Sequence, residues 1–434
     1  MAAVEDIVIA GAGLAGLATA LGKGVRSLVL ESSPTLRASG FAFTTWTNAF
    51  RALDALGVGD KIREHHLLYE SGHDLGLDVP DDGEVVGGEG VYLRVQGDEA
   101  VTVTQIEQLV GQWSERDTAM PTGGMELCLL LLLHRMVTFS AATGEAAAKT
   151  LENELPKGTI RYSSKIVAIE EDGNVTVLHL ADGSTMKTKV LIGCDGVNSV
   201  VAKWLGLPKP ILSGRSATRG LAEYPAGHGF GPEILQFIGQ GFRSGVLPCS
   251  DTSVYWNYTW YPSPADGDAE ESVAKMRSFV LAKLRGARIP AGALDVIERS
   301  EMSEVVSSPL RFRSPLALVR GSISRGGVCV AGDALHPMMP ELGQGGCAAL
   351  EDGVVLARCL GDAFAAGHEG VAAALGRYAE ARRWRSVQLI TAAYVVGFIQ
   401  QSNNVVVKFL RDTFLSPLLA KTLVAMADYD CGTL

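Results

Sequence analysis

Short apolar runs, a glycine-rich turn and a helical segment follow one another at the start of the chain. Residues 6–10 form a β-prone apolar run, the sequence GAGLAG occupies 11–16, and an Ala- and Leu-rich segment continues to about Gly22. A second apolar run at 27–30 ends on Glu31. Strand, helix and strand in this order predict a βαβ unit with a parallel sheet.

The hydrophobic pattern changes along the rest of the chain. Short strand-like runs from 158 to 192 end in a buried apolar segment, and another buried segment lies at 327–331. Between them, residues 211–262 alternate strand-like runs with turn signals, which predicts an antiparallel sheet. From about Cys347 the spacing is mostly helical. The pattern predicts an α/β fold, in which a Rossmann-like domain is interrupted by an antiparallel-sheet domain and followed by C-terminal helices.

Residues 101–150 fit this pattern least well. An apolar run at 127–133 is followed by an Ala-rich stretch at 141–149, and a helical pattern resumes only near Leu151. The run is shorter than the ~20 residues that span a bilayer, and it lacks the β-branched residues of a buried strand. We therefore expect high mobility or poor packing across this segment.

Composition narrows the class of protein. The 434 residues are 47% hydrophobic and carry a formal net charge of −10, which argues against a nucleic-acid or anionic-membrane partner. The seven cysteines are spread out with no C-x-x-C pair, as in a reduced intracellular protein, and no metal-ligand spacing is present. Because the first strand is predicted to begin at about Val4, we expect no targeting peptide. A cytoplasmic protein without an integral membrane span is expected, and its oligomeric state stays open.

The glycines of the first turn have the spacing G-x-G-x-x-G. Gly11 permits a tight turn, Gly13 lets the backbone approach a pyrophosphate, and Gly16 lets the helix pack close to the sheet. Glu31 is placed to accept hydrogen bonds from an adenosine ribose. Strand, helix and acid together favour dinucleotide binding over a merely structural glycine turn.

A second glycine-rich segment favours FAD over NAD. A buried strand leads into Gly332 and Asp333, and the turn at 340–346 opens another helix. Asp333 can accept a hydrogen bond from a ribityl or ribose hydroxyl, although a helix cap is the plainer alternative. The new helix N-terminus can stabilise negative charge on a reduced flavin.

Other candidates have ordinary structural alternatives. Asp195, in the GCDG sequence after the strand at 190–192, is by itself typical of a turn. His336 is more typical of a core or backbone-bonded histidine than of a catalytic one. Trp256 and Tyr258 share one strand face with Val254 and Trp260, and they either line an aromatic substrate pocket or pack in the core. Arg219 is a candidate anchor for a substrate carboxylate, with a surface salt bridge as the alternative.

The three segments in this order resemble the class A flavoprotein monooxygenases, in particular the plant branch that includes zeaxanthin epoxidase-like enzymes. The sequence YAEARRWR at 378–385 also resembles a helix of that family, although alone it is equally typical of a solvated face. The resemblance implies FAD as cofactor, NAD(P)H as co-substrate, and a small organic substrate with O₂ as reaction partners. It assigns FAD binding to Gly11, Gly13, Leu14, Ala15, Gly16, Glu31, Arg37, Asp195, Gly332, Asp333, Pro340, Gly343, Gln344, Gly345 and Gly346.

The resemblance also implies a domain division. The FAD-binding domain would comprise 1–75, 151–206 and 311–365, and the substrate domain would comprise 207–310. Residues 76–150 are uncertain and partly substrate domain, and 366–434 would form a C-terminal helical region.

The implied activity is hydroxylation or epoxidation of an aromatic or conjugated substrate. Two alternatives stay open: an FAD oxidoreductase that does not insert oxygen, and a catalytically impaired paralogue that acts as a binding protein. The family's R-x-V-x-R-x-x-L element has no convincing counterpart in 101–150. We therefore expect weaker FAD binding than in relatives that have it, unless Arg116 or Arg135 supplies the missing cation.

Overall fold

A computed structural model describes residues 4–22, 26–36, 42–64, 67–69, 91–93, 139–230, 235–239, 241–263, 266, 272–365, 370–401 and 425–434. The strands are β1 (Val4–Ala10), β2 (Ser27–Leu30), β3 (Ala42–Thr45), β4 (Leu67–Tyr69), β5 (Val91–Leu93), β6 (Phe139–Thr143), β7 (Ile160–Arg161), β8 (Ile166–Asp172), β9 (Val175–Leu180), β10 (Thr185–Gly193), β11 (Ile211–Glu223), β12 (Leu235–Gly239), β13 (Phe242–Pro248), β14 (Ser253–Trp260), β15 (Val306–Phe312), β16 (Ser324–Arg325) and β17 (Val328–Val330). The α-helices are α1 (Leu14–Leu21), α2 (Thr47–Ala55), α3 (Gly59–Glu64), α4 (Gly144–Asn153), α5 (Val200–Trp204), α6 (Val273–Gly286), α7 (Ala291–Arg299), α8 (Pro315–Arg320), α9 (Gly345–Ala365) and α10 (Val371–Gln401).

The first sheet has the order β16-β17-β10-β1-β2-β7, and the β8–β9 hairpin joins it through β9 at β10. β1 pairs in parallel with both β2 and β10, and β10 pairs in parallel with β17. Ile7, Val8 and Ile9 are all buried, because a parallel sheet is covered on both faces. The expected Rossmann-like βαβ start is confirmed.

Helices α1 and α9 pack closely against each other beside this sheet. A Cβ atom on Gly353 would lie 2.5 Å from the Cβ of Ala18, so the close approach requires glycine at that position of α9. This packing brings the beginning of the chain against the segment that follows β17.

The second sheet is antiparallel where its pairings are described and has the order β15-β11-β14-β13-β12-β5. Helices α6 and α7 cover one of its faces with apolar side chains that include Met276, Val280 and Val296. The expected α/β fold, with an antiparallel sheet inserted into a Rossmann-like domain, is confirmed.

The described part of the 101–150 segment is more regular than its sequence suggests. Strand β6 pairs with β3 and β4 in a small third sheet, and α4 begins at Gly144. The expectation that helix resumes only near Leu151 is therefore wrong, because Ala147, Ala148 and Leu151 form one buried helical face. The apolar run at 127–133, together with Arg116 and Arg135, lies outside the described residues.

In the part of the chain that the structure describes, every helix is too short or too polar to cross a membrane.

Candidate functional site

The parallel strands of the first sheet deliver their following turns to one edge. In the register, Ala10 lies opposite both Leu30 and Gly193, and Gly193 lies opposite Val330. The four segments that carry the expected cofactor residues therefore begin side by side. In open α/β sheets, ligands bind in the crevice outside this carboxyl edge.

The three glycines of the first turn have two different roles. Gly11 has a φ of +100°, and a Cβ there would overlap the carbonyl oxygen of Cys194. A Cβ on Gly16 would overlap the carbonyl oxygen of Gly11. At Gly13, by contrast, a Cβ would meet no protein atom within 4 Å. Gly11 and Gly16 thus serve the fold, while Gly13 leaves open space at the N-terminus of α1.

Glu31 joins the end of β2 to this turn. Its Oε2 accepts a hydrogen bond from the backbone N–H of Ala12 at 2.9 Å, and its Oε1 accepts one from Ser33 at 2.8 Å. The residue is only 7% exposed. Ser32 Oγ also donates to Oε1, at 3.2 Å, so the carboxylate ties the end of β2 to the first glycine turn.

The Gly332–Ala334 turn touches the first glycine turn. Gly332 has a φ of +58°, and a Cβ there would lie 2.8 Å from the Cβ of Ala15. The neighbouring Asp333 is exposed. Surrounding protein nevertheless raises the pKa of its carboxyl by desolvation, an effect that the charges of His336 and Arg219 oppose. A carboxyl that is both reachable and closely surrounded lies in a cleft.

The second glycine loop leaves the N-terminus of α9 open. The turn Pro340–Leu342 is followed by Gly343 with a φ of +61°, and α9 starts at Gly345. A Cβ on Gly345 would meet nothing within 4 Å, and no acidic residue lies in the first turn of α9. The N–H groups and the dipole at this helix end suit an anion.

A network of buried charged side chains is hydrogen-bonded to both the Gly332–Ala334 turn and the second glycine loop. Asp352 accepts hydrogen bonds from the Gly332 N–H at 2.7 Å and from Arg382 Nε at 2.6 Å. Glu351 accepts from Arg382 at 2.7 Å and from Arg385 at 2.8 Å. Asn48 donates to Glu351 and to Gln344, so the network reaches the second loop.

Two expectations are settled by this network. Tyr378 and Arg382 are fully buried and Arg385 is 5% exposed, so the solvated-face alternative for 378–385 is wrong. His336 is fully buried, with Nε2 lying 2.7 Å from Asp352 Oδ2, as a core histidine would be. Burial alone would raise the pKa of Asp352, but His336 and Arg382 outweigh burial and lower that pKa to about 2.

Asp195 serves local structure. It accepts hydrogen bonds from Ser199 Oγ at 2.5 Å and from the Val200 N–H at 2.7 Å, and so helps to cap α5. Gly196 has a φ of +78°. The geometry matches the turn alternative for this segment.

The two faces of the antiparallel sheet separate the expected pocket residues. Trp256 and Tyr258 are at most 1% exposed and pack beneath α6 and α7, where Trp256 Nε1 donates to Ser300 Oγ at 2.6 Å. Arg219 pairs with Asn257 in the register and therefore lies on the opposite face. Trp256 and Tyr258 therefore pack in the core, which matches the second alternative for them, and they do not share a face with Arg219.

Arg219 is placed toward the Asp333 turn. Its charge acts on the Asp333 carboxyl and on Tyr255, which is two positions from Asn257 on the same face of β14. It is half-buried, and its Nε has no hydrogen-bond partner among the described residues. On the same face, buried Arg215 forms an ion pair with Glu341 of the second loop. This face of the sheet therefore meets the cofactor segments.

The Arg215–Glu341 pair and the network around Glu351 and Asp352 were not predicted from the sequence. A buried acid or arginine has the same local pattern as an exposed one until its partner is known. Arg37, which the resemblance assigned to FAD, lies outside the described residues. The open space at Gly13 and Gly345 and the reachable carboxyl of Asp333 fit a dinucleotide with a flavin.

Comparison with known proteins agrees with this geometry. The family model "FAD binding domain" matches residues 5–393. The chain is 42% identical to Monooxygenase 2 of Arabidopsis thaliana, over 99% of this chain and 98% of the relative, and 32% identical to Monooxygenase 1 of the same plant, over 99% of each. The structure of Klebsiella pneumoniae HpxO, solved with FAD and uric acid, has the same fold with a TM-score of 0.70, at 20% identity and covering 99% and 98% of the two chains.

The family model covers most of the chain, and both plant monooxygenases align with 99% of it. The chain belongs to the FAD-binding domain family, and it is an FAD-dependent monooxygenase of class A.

Proposed function

We propose that this protein uses NAD(P)H and O₂ to hydroxylate or epoxidise a small aromatic or conjugated substrate that carries an anionic group. The observation that carries the proposal is the position of Arg219. Its half-buried guanidinium lies on the face of the antiparallel sheet that meets the cofactor segments, and its charge reaches the carboxyl of Asp333.

FAD would lie along the carboxyl edge of the parallel sheet. The ADP half would lie at Gly13 and the N-terminus of α1, with its ribose at Glu31. The ribityl chain would meet Asp333, and the pyrimidine edge of the flavin would meet the N-terminus of α9 at Gly345. Two helix N-termini would thus stabilise negative charge on the phosphates and on the reduced ring.

The substrate would lie between this edge and the sheet face that carries Arg219. There Arg219 and Asn257 offer N–H donors to a carboxylate or phenolate, and Tyr255 adds an aromatic wall. The helix-covered residues Trp256 and Tyr258 would support the sheet from behind. The proposed substrate domain is 207–310, with part of 76–150, in which β5 pairs with β12.

Bound FAD supplies the redox chemistry: one oxygen atom of O₂ enters the substrate, the other leaves as water, and NAD(P)H provides two electrons. The protein's own residues hold the substrate near the ring, support negative charge and exclude water. A reacting carbon must come within ~3–3.5 Å of the oxygen it receives.

The experiment is a substrate screen with the purified, FAD-loaded protein. NADH and NADPH consumption and peroxide release are followed with phenols, aromatic carboxylates and purines, each beside a neutral analogue, and with carotenoids as neutral conjugated compounds. We expect an anionic aromatic compound to accelerate NAD(P)H consumption and to suppress peroxide release. Acceleration by neutral compounds alone would contradict the anionic substrate class, and absence of any product would contradict oxygen insertion.

A further inference from the structure

Arg313, which directly follows β15, is a buried cation that meets backbone carbonyls. The residue is 1% exposed. Its Nε donates to the carbonyl of Leu335 at 2.9 Å, its Nη2 to that of Ala334 at 3.0 Å, and its Nη1 to that of Pro208. Burial lowers the pKa of Arg313 to about 10, and no carboxylate of the described residues offsets this effect. The side chain is therefore charged at neutral pH.

Burying a cation without a carboxylate costs free energy unless its N–H groups find acceptors. A guanidinium has five N–H groups in a planar fork, and here both ends and the middle of the fork meet carbonyl oxygens. A lysine in the same place would keep the charge but would lose this fork geometry.

Three segments meet at this guanidinium. Pro208 lies in the connection from α5 to β11, where the chain enters the antiparallel sheet. Arg313 itself lies where the chain leaves that sheet, and its backbone N–H donates to the carbonyl of Pro337 at 2.9 Å. Ala334 and Leu335 directly follow Asp333. One side chain thus joins both crossings between the sheets to the Asp333 turn.

We propose that Arg313 is a positioning residue that holds the Asp333 turn, and with it the ribityl side of the FAD site, against the two chain crossings. Fixing the carbonyls of Ala334 and Leu335 fixes the peptide units 334–335 and 335–336, and so constrains the turn that carries the Asp333 side chain. The inference rests on the FAD placement described under Proposed function.

The test compares Arg313→Lys with Arg311→Lys as the matched control. Arg311 lies two residues earlier, is exposed, and donates to Asn198 at 3.2 Å. Flavin-stripped proteins are titrated with FAD and separately with ADP by calorimetry, and amide hydrogen exchange is followed at 333–337.

For Arg313→Lys we expect the Kd for FAD to rise roughly 10-fold or more, as for loss of a charge-assisted hydrogen bond, and the Kd for ADP to stay unchanged. Amide exchange at 333–337 should become faster. Arg311→Lys should match the wild type in all three measurements. ADP is the informative probe because it would occupy only the half of the site that Arg313 does not touch.

An equal loss of FAD and ADP binding, or no loss of either, would overturn the inference in favour of a merely structural role. If Arg313→Lys does not fold, Arg313→Gln, which keeps an amide donor without the buried charge, is read in the same way. Asp333→Asn is titrated alongside. Normal FAD binding in that variant contradicts the FAD placement, whereas loss at Asp333 with none at Arg313 contradicts only the role of Arg313.

Discussion

Replacing Gly13 by valine separates cofactor binding from folding. Gly13 has φ −76° and ψ 178°, which a β-branched residue adopts readily, and its Cβ would point into open space. The FAD-free variant should therefore lose only about 1 kcal/mol of stability, because valine is a poorer N-cap than glycine. The backbone of the turn is not required to move.

FAD binding should suffer far more, because the branched side chain would occupy the space where a phosphate approaches α1. Each charge-assisted hydrogen bond lost costs about 1.5–3 kcal/mol, or roughly 10- to 150-fold in affinity. We expect the Kd for FAD to rise roughly 100-fold or more. The assay is fluorescence titration of flavin-stripped protein with FAD, next to urea unfolding of the same FAD-free sample.

Gly16→Val is the contrasting variant. Its Cβ would overlap the carbonyl oxygen of Gly11, so overpacking should cost about 1–3 kcal/mol or more in the FAD-free protein. Gly13→Val with unchanged FAD affinity would refute the assignment of this turn to the pyrophosphate. Gly13→Val as unstable as Gly16→Val would refute the distinction between the two glycines.

Four further substitutions test the cofactor site, the buried charge network and the two faces of the antiparallel sheet. Asp333→Asn should weaken FAD binding yet stabilise the FAD-free protein at neutral pH. Desolvation raises the pKa of Asp333 in the folded state, so the stability that the protonated carboxyl contributes is lost as pH rises through that pKa. Urea unfolding midpoints measured across pH test this sign, and a variant less stable than the wild type at neutral pH would contradict it. Asp352→Asn should lower the unfolding free energy by about 3–5 kcal/mol, because Arg382 would stay buried with one of its two carboxylate partners removed. A loss below about 1 kcal/mol in urea unfolding would contradict a stabilising role of this ion pair. Arg219→Gln should raise KM for an anionic substrate roughly 10- to 150-fold. Trp256→Phe should instead lower the unfolding free energy by about 1–3 kcal/mol and leave KM unchanged. If steady-state kinetics show the larger KM for Trp256→Phe, the assignment of Arg219 to the substrate side of the sheet is wrong.

The parts of the fold that the sequence predicts well are those set by local chemistry. The apolar run at 6–10 and the glycines that follow it need no distant partner to indicate a strand and a tight turn. Asp333 is likewise indicated by its neighbours, because a buried strand and a glycine loop flank it. The helix at Gly144 was missed because an Ala-rich stretch carries weak periodicity, and its burial comes from packing.

What the sequence could not predict depends on contacts between distant segments. Period-2 spacing places Trp256 and Tyr258 on one face, but only the pairing of β11 with β14 and the helices α6 and α7 show which face is covered. The charges of Arg382 and Arg313 look the same in sequence as those of an exposed helix or loop. Their burial becomes visible only when the acids or carbonyls that satisfy them are in place.

We propose that the chain inserts oxygen from O₂ into an anionic aromatic or conjugated substrate. The most direct measurement is turnover of the FAD-loaded protein under heavy-isotope O₂ with NAD(P)H and the substrate that best suppresses peroxide release, followed by mass spectrometry of the product. We expect one heavy oxygen atom in each product molecule, with product formed in proportion to the NAD(P)H consumed. A product without heavy oxygen, or complete recovery of the electrons as peroxide with every substrate in the panel, would contradict it.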